Sequence, residues 1–319
     1  MLFERGASFP LSRRHLLGFG AAGLVAACHR GASAGASDTL FVGDQRGGSQ
    51  VVMKASNSLA NLPYRIEWSA FPNAGPLLEA LNAGAIDTGA GGDAAFIFAI
   101  GSGATIKTIG AVKSEGIGPV VVVRGDSPIR SIADFPGRKI ATPKGSISHN
   151  LVLAALELHD KPLDSVEFVF LSPSDGQAAL QSGAVDGWGI WDPNAAIAEK
   201  AGARIIAGPP GLVPGYSLMY ARDGAIADKR VLLADYHRRA YAGWAWAAQH
   251  RSAYAELMHQ ETGIALDIWQ VAAGRATRVP VPIDDTLIAE QQKTADRFLR
   301  AKLLAKPVDV RSGFDKSFS

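Results

Sequence analysis

Two segments of this 319-residue chain share one pattern without a gap. They read ALNAGAIDTGAGGD at residues 80–93 and ALQSGAVDGWGIWD at residues 179–192, so that the Ala-Leu, the Gly-Ala and two aspartates coincide. Each is typical of a helix that ends at a glycine, a strand opened by an aspartate, and a polar residue before the next helix. In the second copy, Pro193 fits the first position of that helix. The repeat predicts two lobes of similar α/β architecture, the alternative being chance similarity between short α/β pieces.

The rest of the chain supports this architecture. Strand-like runs alternate with helical patterns, which predicts α/β lobes with mostly parallel sheets. Beyond Lys229 the pattern is helical throughout, and helices are predicted over 230–259, 265–275 and 285–304. The predicted strands lie at 39–42, 65–69, 86–90, 120–124, 139–142, 166–170, 185–190, 204–206 and 217–221.

Four turns lead from a predicted strand into a helix. They are GDQRGGS (43–49) and AGGD (90–93) in one lobe, and PKGSISHN (143–150) and IWDP (190–193) in the other. Ligands of open parallel sheets bind beyond the carboxyl ends of the strands. We therefore expect the four turns to line a cleft between two lobes.

The composition of these turns favours an anionic ligand. Helix starts present unpaired backbone amides and the positive end of the helix dipole. Ser146, Ser148 and His149 add neutral donors in one lobe, and Gln45 does so in the other. Trp191 offers a flat apolar wall for an organic group. Because a desolvated anion is costly unless its oxygens are paired, these residues together predict a tetrahedral oxyanion with a carbon chain.

Other readings of the same residues remain open. Ser146 and His149 are close in sequence, but a nucleophile and its base usually come from different elements, so a serine hydrolase is weakly supported. His149 could instead be a helix-capping histidine whose hydrogen bonds are made within the protein, and Asp93 and Asp192 could be helix N-caps. The other histidines show no metal-ligand spacing beside carboxylates, and no metal or other cofactor is expected.

The N-terminal segment predicts export. Arg13 and Arg14 precede the uncharged run LLGFGAAGLVAA, which is typical of a twin-arginine signal peptide over residues 1–27. This run is shorter than the roughly 18 apolar residues that a spanning helix needs. It ends in VAAC, which resembles a bacterial lipobox and predicts lipidation of Cys28, with simple secretion as the alternative. Residues 28–38 are predicted to be a flexible tether.

Charge and cysteine content exclude several classes. Residues 1–27 carry three of the 32 basic and one of the 30 acidic residues, so the remaining chain has no formal net charge. The remaining chain therefore has no excess of positive charge that would indicate nucleic acid as a partner. Cys28 is the only cysteine, which excludes a disulfide framework and a thiolate metal site.

Several segments resemble the aliphatic-sulfonate-binding proteins of bacterial ABC importers. They include FPNAGPLLEALNAGAIDTGAGGDAAF, KGSISHN and GAVDGWGIWDP, and the resemblance extends from residue 39 to residue 311. The group lies within a wider set that binds taurine, nitrate or thiamine precursors. The resemblance implies a two-lobed periplasmic binding protein fold (type II) that closes over a small anionic organic solute. It implies delivery of that solute to an ABC permease in the inner membrane, without catalysis.

The resemblance also implies the domain bounds and the site. Lobe 1 is expected over 39–124 and 221–319, and lobe 2 over 125–220. The protein is expected to be a periplasmic monomer that is anchored to a membrane through its lipid. The ligand-binding residues implied by the resemblance are Gln45, Gly92, Asp93, Ser146, Ser148, His149, Trp191, Asp192 and Tyr216.

Three departures from the family pattern lie at one edge of lobe 1. Asp44 replaces an aromatic residue, residues 94–96 replace a proline-bearing turn, and FPNAGP carries an extra residue. The resemblance therefore supports a sulfonate or sulfate-ester head group better than any particular organic tail. The alternatives are a binding protein for taurine, nitrate or a thiamine precursor, a pyrimidine-synthesising enzyme on the same fold, and a sensor domain.

Overall fold

Two β-sheets organise the part of the chain that the computed structural model describes, residues 38–208 and 211–318. The predicted signal peptide, Cys28 and nearly all of the predicted tether lie outside these residues. The strands are β1 (Thr39–Gln45), β2 (Arg65–Phe71), β3 (Thr88–Gly92), β4 (Ile106–Gly116), β5 (Val120–Val123), β6 (Lys139–Thr142), β7 (Glu167–Phe170), β8 (Gly187–Ile190), β9 (Arg204–Ala207), β10 (Tyr216–Arg222) and β11 (Ala276–Val281).

Helices flank both sheets. None of the helices in the described ranges is long and apolar enough to cross a membrane. The helices are α1 (Ser49–Ala55), α2 (Ala74–Asn82), α3 (Asp93–Gly101), α4 (Ile147–Leu158), α5 (Pro173–Ser182), α6 (Asn194–Lys200), α7 (Asp223–Asp228), α8 (Arg230–Gln249), α9 (Arg251–Thr262), α10 (Leu266–Arg275) and α11 (Asp285–Arg300).

Each lobe has a mixed sheet, although mostly parallel sheets were predicted. Lobe 1 has the strand order β11-β4-β10-β3-β1-β2, in which β1 runs parallel to β2 and β3. Lobe 2 has the order β7-β6-β8-β5-β9, in which β6 runs parallel to β7 and β8. The remaining pairs are antiparallel. Each antiparallel pair includes a strand next to one of the two crossings between the lobes. The chain passes from lobe 1 to lobe 2 between β4 and β5, and it returns between β9 and β10.

The lobe boundaries differ by several residues from the predicted ones. β5 belongs to the sheet of lobe 2, although residues 120–124 were expected in lobe 1. β10 belongs to the sheet of lobe 1, although residues 216–220 were expected in lobe 2. Both strands are largely buried, and an apolar run does not reveal which sheet will pair with it.

The sequence repeat corresponds to the same local structure in both lobes. Phe41 donates its amide to Asp87 Oδ2 (3.0 Å) and accepts from the Asp87 amide (2.8 Å). Lys139 and Asp186 make the equivalent two bonds at 2.9 and 2.8 Å. The glycine after the preceding helix has a φ of 78° in the first copy and 75° in the second, a conformation that glycine adopts readily. Each aspartate therefore ties its strand to the start of the neighbouring one.

The C-terminal region contains features that the helical pattern did not predict. The helix expected over 230–259 is divided at His250 into α8 and α9. β11 follows α10 directly and pairs antiparallel with β4, and neither strand was predicted. Pro280 is tolerated in β11 because this strand lies at the edge of the sheet.

One apolar cluster is shared between the lobes. Ala94 and Ile97 of α3 and Phe298 of α11 are buried together with Leu153 of α4. This cluster fixes α4, which belongs to lobe 2, against two helices of lobe 1. The start of α4 is thereby held at the lobe boundary.

Candidate ligand-binding site

The turn after β1 is closed by its own carboxylate. Asp44 Oδ1 accepts from the Ser49 amide (3.1 Å), and Oδ2 accepts from the Gln50 amide (2.7 Å). A Cβ at Gly48 would lie 2.1 Å from Asp44 Oδ1, so glycine is required there. Burial raises the pKa of Asp44 to about 6 against the opposing effect of these amides. The amides that were expected to attract an external anion at α1 are therefore used by Asp44.

In the turn after β3, a carboxylate also accepts from an amide at the start of its helix, α3. Asp93 is only 1 % exposed and is the first residue of the helix, not its N-cap. Its Oδ1 accepts from the Ala94 amide (2.7 Å), and its Oδ2 accepts from Gln291 Nε2 (3.0 Å) and the Tyr216 amide (3.4 Å). Burial raises the pKa of Asp93 to about 7, while these three bonds oppose the rise. The carboxylate of Asp93 is thus engaged inside lobe 1.

The other predicted residues of lobe 1 lie around the same edge of the sheet. The Tyr216 hydroxyl donates to Glu290 Oε2 (2.6 Å), and burial raises its pKa well above the usual range. Gln45 donates from Nε2 to the Ala90 carbonyl (2.9 Å). Gln45 and Gly92 are half-buried, and a Cβ at Gly92 would meet open space. Gln45 and Gly92 therefore retain exposed surface, whereas the Tyr216 hydroxyl is already hydrogen-bonded to Glu290.

The start of α4 differs from those of α1, α3 and α6 because, in the described part of the chain, no carboxylate accepts from its amides. Ser146 is the N-cap, and its hydroxyl oxygen accepts from the His149 amide (3.2 Å). The amides of Ile147 and Ser148 have no hydrogen-bond acceptor in the described part of the chain. These amides and the helix dipole provide the unneutralised positive end that an anion prefers.

Three hydroxyl groups meet at this helix start. Ser148 Oγ lies 2.9 Å from both Thr142 Oγ1 and Ser146 Oγ, and the latter two are 3.4 Å apart. Thr142 and Ser148 are fully buried, whereas Ser146 is half-buried. Ser146 is therefore the member of the group that can reach a solute. Thr142 was not predicted as a site residue, although its position at the end of strand 139–142 was a usable signal.

His149 belongs to an aromatic cluster. Its ring is fully buried, with centroids 4.5 Å from Phe168, 5.2 Å from Phe170 and 5.9 Å from Phe298. Nδ1 accepts from the Gly145 amide (3.3 Å), which assigns the proton to Nε2. Burial and the nearby Lys144 lower the pKa of His149 to about 4, so the ring is neutral at pH 7. Nε2 has no hydrogen-bond partner among residues 38–208 and 211–318.

The carboxylate of the fourth turn, between β8 and α6, is also hydrogen-bonded within the protein. Asp192 Oδ1 accepts from the Ala196 amide (3.0 Å) and lies 3.4 Å from Nη1 of Arg275, a residue of lobe 1. Burial raises the pKa of Asp192, while Arg275 lowers it. Trp191 is half-buried against the core of lobe 2. α6 begins at Asn194, so Pro193 occupies the N-cap position instead of the predicted first helical position.

The structure thus divides the predicted residues into groups. Ser146, Ser148 and His149 lie together at α4, and Asp93 and Tyr216 are joined in lobe 1. The lobes meet where Gly145 lies against Phe98, since a Cβ at Gly145 would be 2.8 Å from that ring. They meet again at Asp192 and Arg275.

Known proteins are similar to this chain in sequence and in fold. The NMT1/THI5-like family matches residues 70–253. A protein of Escherichia coli (strain K12) named as an aliphatic sulfonates-binding protein is 32 % identical over 307 residues, which cover 93 % of this chain and 95 % of the relative. The chain belongs to the NMT1/THI5-like family and, within it, to the aliphatic-sulfonate-binding proteins.

Solved structures of this family agree with the fold. The alkanesulfonate-binding protein SsuA from Xanthomonas axonopodis pv. citri, bound to MOPS, is 29 % identical with a TM-score of 0.81, over 87 % of this chain and 98 % of that chain. The periplasmic aliphatic sulphonate binding protein SsuA from Escherichia coli is 31 % identical with a TM-score of 0.76, over 86 % and 91 %. The predicted resemblance and the two-lobed α/β fold are confirmed.

Proposed function

We propose that this chain is the solute-binding component of an ABC importer and captures an alkyl or aryl sulfonate, or a sulfate ester, between its lobes. The names of the relatives and the MOPS bound to one of them support this class of solute. MOPS carries an alkanesulfonate group. The proposed role is binding and delivery to a membrane permease, with no chemical step.

The head group is proposed to bind at the start of α4. The observation that carries this proposal is the distribution of carboxylates over the four turns. Asp44, Asp93 and Asp192 accept from helix-start amides in three of them, whereas α4 has none. A sulfonate is an anion with three acceptor oxygens, and it can accept from the Ser146 hydroxyl and the free amide of Ile147, both of which belong to half-buried residues.

The remaining residues take different proposed roles. Gln45 and Gly92 face the solute from lobe 1, and Trp191 contacts its organic part. The buried side chains of Ser148, His149 and Asp93, together with Tyr216 and Asp192, hold the surrounding elements in place. This division follows from burial and from the hydrogen bonds that already occupy these groups.

Titration calorimetry and thermal unfolding test the proposal. The ligands are MOPS, a short alkanesulfonate, an alkyl sulfate ester, taurine and nitrate. A specific solute at about 100 times its dissociation constant should stabilise the fold by about 2.7 kcal/mol. If MOPS, the short alkanesulfonate and the sulfate ester all fail to bind or to shift the unfolding curve, the proposed solute class is wrong. Binding of taurine or nitrate alone would favour the corresponding alternative, and pyridoxal absorbance in the purified protein would favour an enzyme.

Export and anchoring are proposed from the N-terminal sequence. We infer a periplasmic monomer, exported through Arg13 and Arg14 and lipidated at Cys28. The name of one relative includes the word periplasmic. Cys28→Ser should release the protein from the membrane fraction of expressing cells. If the variant stays in that fraction, lipidation at Cys28 is not the anchor.

A further inference from the structure

Arg275 connects the two lobes at the point where the chain first crosses between them. It is the last residue of α10 in lobe 1, and its carbonyl accepts from the Ile117 amide (3.0 Å) just after β4. Gly116 has a φ of 109°, and a Cβ there would lie 2.2 Å from the Arg275 carbonyl oxygen. The backbone of Arg275 is therefore fixed to the crossing segment.

The side chain of Arg275 reaches lobe 2. Nη1 lies 3.4 Å from Asp192 Oδ1 in the turn before α6, and Nη2 donates to Glu199 Oε2 near the end of α6. The side chains of Arg275, Asp192 and Glu199 are 18 %, 14 % and 30 % exposed. Solvent and salt screen ion pairs less at this degree of burial than at the surface. One guanidinium thus holds both ends of α6.

We propose that Arg275 is a positioning residue for solute capture, which holds α6 and the turn that carries Trp191 and Asp192 against lobe 1. This role rests on the proposed function in that the solute binds between the lobes. Movement of lobe 2 away from lobe 1 separates α6 from Arg275. The ion pairs therefore stabilise the arrangement of the lobes in this structure independently of the solute.

The position of Arg275 gives this role a measurable consequence. The apparent dissociation constant equals the intrinsic one divided by the fraction of protein in the competent arrangement. Loss of Arg275 should lower that fraction and weaken binding by the same factor, although Arg275 is not among the residues proposed to contact the solute.

A second ion pair at the same interface provides a matched control. Lys200 of α6 pairs with Asp267 of α10, so it also joins the two lobes. These side chains are 58 % and 57 % exposed, and exposed pairs contribute little to stability. Lys200→Ala should therefore behave like the wild type.

The experiment compares Arg275→Ala, Glu199→Gln and Lys200→Ala in the full folded chain. Small-angle X-ray scattering without solute reports how far apart the lobes lie, and calorimetry with MOPS reports the dissociation constant. We expect a more extended Arg275→Ala protein whose dissociation constant rises about tenfold, a smaller change of the same kind in Glu199→Gln, and no change in Lys200→Ala.

The results separate this proposal from the proposed function. If Arg275→Ala and Glu199→Gln match Lys200→Ala in scattering and affinity, or bind more weakly without opening, the positioning role is wrong. If Arg275→Ala does not fold, Glu199→Gln decides by the same criteria. If the wild type binds neither MOPS nor the other sulfonates, the proposed function fails, and the scattering comparison alone still decides whether Arg275 holds the lobes together.

Discussion

A carboxylate buried at the start of a helix takes up the same amide groups that would otherwise bind an anion from solution. Asp44 and Asp93 do this in lobe 1, and Asp192 does it in lobe 2. Glycine-rich turns alone therefore overstate the number of anion sites. The informative residue is Ser146, because its neutral hydroxyl caps α4 without neutralising the helix dipole.

Ser146→Ala should weaken sulfonate binding about tenfold, or about 1.4 kcal/mol, because one charge-assisted hydrogen bond is lost. Calorimetry with MOPS measures this. Ser172→Ala is the matched control, since Ser172 caps α5 of the same lobe by accepting from the Asp175 amide. Both variants should lose about 1 kcal/mol of folding stability through the lost cap. Equal affinities of the two variants would contradict a direct role for Ser146.

Thr142 should act on the solute through Ser148. If Thr142 donates to Ser148 and Ser148 to Ser146, the Ser146 proton is left for the anion, and each bond polarises the next. Thr142→Val, which keeps the shape of the side chain, should weaken MOPS binding severalfold. In a Ser148→Ala background it should have no further effect, which a double-mutant cycle measures. Additive losses would contradict this chain of donors.

Asp93 should make stability depend on pH in a defined direction. Its pKa is raised to about 7 in the fold, so its stabilising contribution is complete below its unfolded value near 4 and is lost as pH rises through 7. Gln291 Oε1 is buried without a partner in the described residues, and rotation of the amide would let it accept from protonated Asp93. Urea unfolding of wild type and Asp93→Asn between pH 5 and 8 isolates this effect. Parallel pH profiles would contradict it.

At the scale of helices and strands, the sequence pattern predicted those features that neighbouring residues determine. The glycine ends of α2 and α5 and the strand-to-helix turn at α4 follow from residues adjacent in sequence. The break at His250 and the strands β4 and β11 were missed. β11 follows a helix without a turn, and its pairing with β4 joins segments about 160 residues apart, which no local window contains.

The crossing after β4 depends on Gly116. Gly116→Ala should lower stability by about 1–3 kcal/mol, because its φ of 109° strains any side-chain residue and the new Cβ would clash with the Arg275 carbonyl. Gly118→Ala is the control two residues away, since a Cβ there would meet nothing within 4 Å. Chemical unfolding of both variants measures the difference. Similar losses would show that the left-handed conformation of Gly116 is not required.

At the scale of the whole molecule, the proposed site draws on residues of both lobes. α4 is held by α3 and α11 through a shared apolar cluster, and α6 is held by Arg275. The lobed architecture and the positions of the four strand-to-helix turns could be predicted from the sequence. The hydrogen bond between Asp93 and Gln291 and the contact of Arg275 with Glu199, 76 residues away, could not be predicted, because both depend on how distant segments pack.

The most direct test of the head-group site is a crystal structure with 2-bromoethanesulfonate, in which anomalous scattering from bromine marks the organic end. We expect the solute between the lobes, with sulfonate oxygens within hydrogen-bonding distance of the Ser146 hydroxyl and the Ile147 amide, and with bromine towards Trp191. A fully occupied solute bound to one lobe only, or with its sulfonate at α1, α3 or α6, would contradict the account.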